Sequence, residues 1–220
     1  MDFTPLVISL KTAITATLFT FLVGTYAAWR TYSKKQLYAI ILDGVFTLPL
    51  VLPPTVAGFF LLLLFGRNGP IGRILSQFHI QIVFTWSATV IAAVVISFPL
   101  MYRSAKAAFL QIDENLIYAA RTLRMSESTI FFKILLPLAM PGILSGGILA
   151  FARALGEFGA TLMIAGNIPR ITQTIPVAIY MAVQGYNMKL AYTWVVIIVI
   201  LSFIVIFTLN YCERKKRGKY

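Results

Sequence analysis

The stretch "FARALGEFGAT", residues 151–161, decides how this chain folds. It sits inside an apolar run from Ile134 to Pro169 that is interrupted only by Arg153 and Glu157. If the two charges break the run, the chain has four hydrophobic spans. If they sit together on one side of a helix, it has five. Charged groups in a membrane span are costly and face protein or a water-filled cavity. At about 100° per residue, Gly142, Gly146, Leu149, Arg153, Gly156, Glu157 and Ala160 cluster on one side of a continuous helix. Small residues there allow close helix approach. Arg153 and Glu157 are spaced i, i+4 for an ion pair. The run therefore reads as a span that carries its own charge pair.

The rest of the chain places that span in a membrane protein. Of 220 residues, 59% are hydrophobic and 12% charged, and the mean hydropathy is +0.85. Soluble domains have about 25% charged residues and roughly 45–50% apolar ones. Charge-free runs cover Thr12–Trp29, Gly44–Gly66, Ile80–Tyr102 and Leu190–Cys212. A span needs about 20 apolar residues. With the interrupted run, this predicts an all-α polytopic chain of about five transmembrane helices in a single domain over 1–220. The expected spans are about 6–29, 39–65, 80–103, 138–165 and 190–212, with a cytoplasmic loop at 104–137. Gly24 and the prolines at 49, 53 and 54 predict bent or closely packed spans.

Lys and Arg counts set the orientation. With the N-terminus outside, 13 of the 19 Lys and Arg fall in the two inner loops and the tail, and 4 fall outside. That bias predicts an N-outside, C-inside arrangement. It also accounts for the net charge of +12 without nucleic acid. The tail "ERKKRGK" reads first as a stop-transfer anchor, with an anionic-lipid site as the lesser alternative. "MDFTPLVISL" lacks the basic start of a signal peptide, so the first helix is expected to be retained.

Soluble chemistry has little to work with. One Cys and one His cannot supply a four-ligand structural zinc site, so no metal site is expected. There is no Gly-x-x-x-x-Gly-Lys-Ser/Thr phosphate loop and no Gly-x-Ser-x-Gly nucleophile turn. No catalytic residues are expected, and His79 and Cys212 read as ordinary packed or boundary residues. Asp43 reads as an interfacial cap at the inner end of the second span.

The inner loop "SAKAAFLQIDENLIYAARTLRMSESTIFFKILLP", residues 104–137, carries the most information. Asp113 can cap a helix that begins at Glu114, and Ser126 can cap the next. Leu116, Ala119, Ala120 and Leu123 fall on one narrow apolar face. Such a face suits docking into a partner's groove, or lying on the membrane surface.

"YAARTLR", followed nine residues later by "ILLP", resembles the cytoplasmic loop motif of ABC importer permeases. The motif reads Glu-Ala-Ala, three residues, Gly, nine residues, Ile-x-Leu-Pro. Ala119, Ala120, Ile134, Leu136 and Pro137 match it. Tyr118 stands where the family has Glu, and Arg124 where it has Gly. That glycine ends the helix in a left-handed turn, so either the turn differs here or Arg124 makes a compensating contact. "LPLVLPPTVAGFFLLLLFGRNGPIG", "FARALGEFGAT" and "GNIPRITQTIPVAIY" are similar to the permease subunit of molybdate transporters. The second of these is shared with sulfate permeases.

The resemblance implies a type I ABC importer permease fold in the plasma (cell inner) membrane. It implies transport of molybdate or tungstate, with sulfate or thiosulfate as the alternative cargo. The implied partners are a second copy of the chain, two ATP-binding subunits, an extracytoplasmic oxyanion-binding protein and the lipid bilayer. ATP and Mg would sit on the ATPase partner, so this chain binds no cofactor itself. Glu114, Leu116, Ala119, Ala120, Arg121, Leu123 and Arg124 become the ATPase-coupling helix. Arg153, Gly156, Glu157 and Gly159 become pore or gate candidates. A paired Arg offers little net charge to an anion, and a conduit must release its cargo. The Arg153–Glu157 pair therefore reads first as structural or gating, and second as a contact for the anion. "TIPVAIYMAVQ" reads as an outer lid. An ATP-independent channel or scaffold is the alternative function class, because only an ABC permease needs the docking helix.

Overall fold

The computed structural model describes residues 2–32 and 37–217, with side chains up to Thr208. Lys34, Lys35 and Lys219, which contribute to the expected charge bias, lie outside the described residues. The regular structure of the described residues is all helical, in the order α1 (Thr4–Thr31), α2 (Leu37–Val51), α3 (Pro54–Phe65), α4 (Pro70–Gln77), α5 (Trp86–Leu110), α6 (Glu114–Thr122) and α7 (Glu127–Ile130). A π-helical turn at Phe131–Leu135 joins α7 to α8 (Leu136–Leu155), and α9 (Gly159–Ala165), α10 (Ile175–Gln184) and α11 (Met188–Arg217) follow. Four helical segments are long and apolar enough to cross a membrane, and a fifth span arises if the bent pair α2–α3 counts as one.

Three expected spans take a different form. The run at 39–65 is two helices, α2 and α3, bent by 115°. Pro53 is extended (φ −53°, ψ 135°) and Pro54 opens α3. Two adjacent residues without N–H donors cannot continue the hydrogen-bond ladder of α2. The run at 80–103 starts later and ends later, as Trp86–Leu110. His79 and Phe84 both have positive φ, 55° and 65°, so the chain cannot be helical before Thr85. At its other end α5 continues past Arg103 to Leu110 and takes in Lys106, which the expected loop at 104–137 contains. The run at 138–165 is a helix continuous from Glu127 to Leu155, then a break at 156–158, then α9.

Helices α1, α5 and α8 form the centre. α1 and α5 run parallel: Thr12 lies 2.9 Å from Thr89, and Gly24 sits so close to Met101 that a Cβ there would be 3.0 Å from its Cγ. Trp86 donates to Thr12 Oγ1 at 3.0 Å, and the Lys11 ammonium lies 4.1 Å from the Trp86 ring centroid. α8 runs antiparallel to α5, with Gly142 against Ala108 and Gly146 against Ser104. In lipid, apolar side chains gain little by leaving the solvent, so close packing of small residues holds such helices together. The segment expected as a lid forms α10. Its buried Ile175 and Ala178 pack with Trp194 of α11 and Leu6 of α1, and the Ile175 N–H donates to Ser9 Oγ at 2.7 Å.

Candidate functional site

Three places bring chemistry-bearing residues together: the loop helix α6, a polar cluster on α2 and α5, and the break after α8.

Asp113 caps α6, accepting from the Asn115 N–H at 2.9 Å, and Ser126 caps α7, accepting from the Thr129 N–H at 3.3 Å. The apolar face differs from the expected one. Ile117 and Ala120 are the buried residues of α6, and they pack into a cluster with Phe109, Ile130 and Phe131. Of the expected face, only Ala120 turns inward. Leu116 is 48% exposed and Leu123 76%, and Ala119 is also exposed. Ile117 was missed because a nine-residue helix allows more than one apolar stripe. α6 is thus seated by one side and presents Leu116, Tyr118, Ala119 and Leu123 on its free surface, edged by Glu114, Arg121 and Arg124.

The end of α6 resolves the departure at position 124. Arg124 has φ 58°, the left-handed conformation that the glycine of the motif would take. The Met125 N–H donates to Ala120 O at 3.2 Å and the Arg124 N–H to Arg121 O at 2.9 Å. These two bonds make a Schellman turn. The turn is therefore the same, and Arg124 bears the left-handed cost of roughly 1–2 kcal/mol. Arg124→Gly should raise the melting temperature by about 2–4 °C per kcal/mol recovered, measured by thermal unfolding of the solubilised protein. An unchanged or lower value would mean that the arginine side chain compensates by contacts of its own. Beyond the turn, Arg121 grips Glu127 through two nitrogens, at 2.8 and 3.2 Å. The Glu127 hydrogen bond raises the pKa of the Arg121 guanidinium.

Asp43 is not a cap. It lies inside α2, and its carboxylate accepts from the Tyr102 hydroxyl and pairs with the Lys106 ammonium, both on α5. Thr31 at the end of α1 lies 2.7 Å from the same hydroxyl. Ala39 is the buried residue of α2, so this cluster and the Phe46 ring, 5.1 Å from Tyr102, are what fasten α2 to the bundle. The signal for it was available: an acid in an apolar run needs a partner. Its partner is 63 residues away.

Arg153 and Glu157 do form a pair, 2.8 Å between Nη1 and Oε2, but not on a continuous helix. Arg153 is in the last turn of α8, and Glu157 is in the break after it. Glu157 Oε1 accepts from the Ala160 N–H at 2.8 Å and so caps α9. Oε2 makes the ion-pair contact without a hydrogen bond. Glu157 is 2% exposed and the Arg153 side chain 31%. Gly156 ends α8 and Gly159 opens α9. A Cβ on Gly159 would lie 3.2 Å from Pro54 and Thr55, and one on Gly58 would lie 2.6 Å from the Ala160 Cα. The break after α8 therefore packs directly on the break between α2 and α3. Glu157 already meets both the Arg153 charge and the start of α9, so the pair offers an anion little free positive charge.

Among the described residues, no group of three His, Cys, Asp or Glu is placed to hold a metal ion. His79 is exposed on the loop after α4.

Known proteins are similar to this chain in sequence and in fold. A family described as the binding-protein-dependent transport system inner membrane component matches residues 20–218. The permease protein YvgM of Bacillus subtilis (strain 168) is 47% identical over 217 residues, 97% of this chain and 93% of its own. The molybdenum transport system permease protein ModB of Escherichia coli (strain K12) is 47% identical over 178 residues, 80% of this chain and 78% of its own. ModB of Azotobacter vinelandii is 37% identical over 218 residues, 99% and 96% of the two chains. The fold is similar to that in the inward-facing MetNI methionine ABC transporter, with a TM-score of 0.74 at 20% identity over 96% of this chain and 94% of that one. It is also similar to a bacterial alginate ABC importer, with a TM-score of 0.71 at 16% identity over 98% and 80%. The chain belongs to the family of binding-protein-dependent transport system inner membrane components, and it is a membrane permease rather than an enzyme.

Proposed function

We propose that this chain is the membrane-spanning subunit of an ATP-driven importer of molybdate, and of the isostructural tungstate. It works as a pair of identical copies, above two ATP-binding subunits and below an extracytoplasmic oxyanion-binding protein. ATP and Mg are held by the ATP-binding partner. The observation that carries the reading is the identity to relatives named as molybdenum transport permeases, over most of their length as well as of this chain.

The geometry of α6 supports a coupling role. The helix is anchored by Ile117 and Ala120 and leaves Leu116, Tyr118, Ala119 and Leu123 free for a groove on the ATP-binding subunit. Arg121 and Arg124 at its end suit an acidic rim on that groove. A helix this short gains its rigidity from its seat rather than from its own length. Deleting the whole segment would open the core, so the sharper variant is the exposed double substitution Leu116→Asp with Leu123→Asp. It should leave folding intact and lower substrate-stimulated ATP hydrolysis by at least tenfold.

The test of the whole reading is uptake. The complex, reconstituted in vesicles with its ATP-binding subunits, its binding protein and internal ATP, is offered molybdate, tungstate and sulfate, each detected by mass. Molybdate and tungstate should accumulate only with ATP, and sulfate poorly. Sulfate uptake without molybdate uptake would assign the chain to the other oxyanion class. Uptake that survives without ATP and with α6 blunted would make it a channel.

A further inference from the structure

We infer that the pocket between α3, α4 and the turn before α5 takes an acidic side chain of the extracytoplasmic binding protein. The inference rests on the importer reading above and adds where, and by what charge, that protein is held. The pocket has a volume of about 280 Å³, and Phe65, Arg67, Ser76, His79, Ile80 and Gln81 are among its lining residues. It lies beside the start of α5, at the end of the bundle opposite α6.

The segment "GRNGPIG", residues 66–72, builds it. Gly69 and Gly72 let α4 fold back on the end of α3. A Cβ on Gly69 would lie 2.1 Å from Leu63 O, and one on Gly72 1.9 Å from Gly66 O. Side chains at either place would push α4 away and open the pocket. His79 closes the far side in the left-handed conformation, with φ 55°. The Ile80 N–H donates to Leu75 O at 3.0 Å and the His79 N–H to Ser76 O at 3.1 Å. This is a Schellman turn, in which glycine is usual at the left-handed position. An imidazole stands there instead and lines the pocket. The apolar wall is fixed as well, because Phe65 and Val83 pack in one cluster with Ala160 and Ile164 of α9.

The pocket holds positive charge without an answer. Ser76 Oγ and Gln81 Nε2 donate to carbonyls of their own segment, at 2.8 and 3.5 Å. Among the described residues, neither Arg67 nor His79 is in an ion pair, nor is the neighbouring Arg73 of α4. The acid at this end, Asp2, is held by Arg170 at 3.3 Å.

The lining decides between occupants. A bare oxyanion would lose its water against Phe65, Ile80 and Val83. An acidic side chain lays its methylene stem on those residues and its carboxylate on the Arg67 guanidinium and the His79 ring. A second copy of this chain brings the same excess of cations, and like charges repel. The ATP-binding subunits meet α6 at the other end. Of the proposed partners, the binding protein is the one that reaches this face. A charged pocket flanked by exposed Phe78 and Ile80 also has the anatomy of an interface anchor point.

The test uses the complete transporter in phosphatidylcholine nanodiscs, where no anionic headgroup competes. Labelled, molybdate-loaded binding protein is titrated in, and docking is read by fluorescence anisotropy. Arg67→Glu should raise the half-saturating concentration at least tenfold. It should not move the melting temperature, since Arg67 is exposed and such substitutions are close to neutral for folding. Ser76→Trp, which fills the pocket and leaves its charges in place, should weaken docking by a similar factor. In a scan that turns each surface acid of the binding protein to lysine, one replacement should restore docking to the Arg67→Glu transporter. Docking unchanged in both pocket variants overturns the inference, as does a scan with no restoring acid. Unchanged docking with slower molybdate uptake at saturating binding protein would also overturn it, by making the pocket a cargo site. Failure of the unaltered transporter to dock the binding protein at all would bring down the importer reading, and the inference with it.

Discussion

Glu157→Ala should cost more stability than any other single change in the pore candidates, about 3 kcal/mol. Two losses combine. The Ala160 N–H loses its acceptor, which alone is worth about 1 kcal/mol at a helix start. Arg153 loses its counter-charge while still only 31% exposed, and an unpaired charge away from water is expensive. The joint between the two helix breaks would loosen, since Gly159 and Ala160 press on Pro54, Thr55 and Gly58 across it. The variant should melt at least 5 °C lower, assemble poorly and lose ATP-driven uptake, with the size of the shift set by the unfolding entropy of a chain this long. Arg153→Ala should be milder at the cap, because Glu157 Oε1 keeps the Ala160 N–H, but it leaves a carboxylate 2% exposed with no cation beside it. The double alanine variant should recover part of the Arg153 penalty. If Glu157→Ala assembles and melts normally, and only the choice among oxyanions changes, the pair is a substrate contact and the structural reading is wrong.

Asp43→Ala is the second large effect. It removes the acceptor of Tyr102 and the counter-ion of Lys106 together. Because the Asp43 side chain is 38% exposed and that of Lys106 19%, the cost should be about 1–3 kcal/mol rather than the full value for a buried pair. The effect should be local. Exchange of α2 amides with solvent deuterium should speed up by roughly tenfold or more, one decade per 1.4 kcal/mol, while α5 and α8 stay protected. Asp43→Asn, which keeps an acceptor for Tyr102 but not the charge, should fall between. Lys106→Met placed in the Asp43→Ala background should restore part of the loss, since it removes the stranded charge. Unchanged exchange in α2 would mean that Phe46 against Phe98 and Tyr102 holds the helix by itself.

What could be read in advance had local causes. The caps at Asp113 and Ser126 depend on one side chain and the next turn, and both were legible. The Arg153–Glu157 contact was legible from spacing, although the helix expected to carry it ends between the two residues. Arg124 is a sharper case. The position of the turn was readable from the motif, but not whether an arginine would accept left-handed geometry. That was decided by the two hydrogen bonds and by the packing of Ala120 and Met125 beneath it. The inward face of α6 was misjudged because its nine residues hold two apolar stripes, and the neighbouring Phe109 and Phe131 select the one with Ile117.

The sequence by itself determined an all-helical membrane chain, the number of its apolar runs and the sign of its charge bias, because hydrophobic length and Lys/Arg placement act along the chain. Only the tertiary structure decided that two of those runs are broken and that the breaks lie against each other. It alone paired Asp43 with a lysine 63 residues away. Those outcomes depend on which helix stands beside which, and close approach at Gly58, Gly142 and Gly146 is a property of both surfaces rather than of either sequence segment.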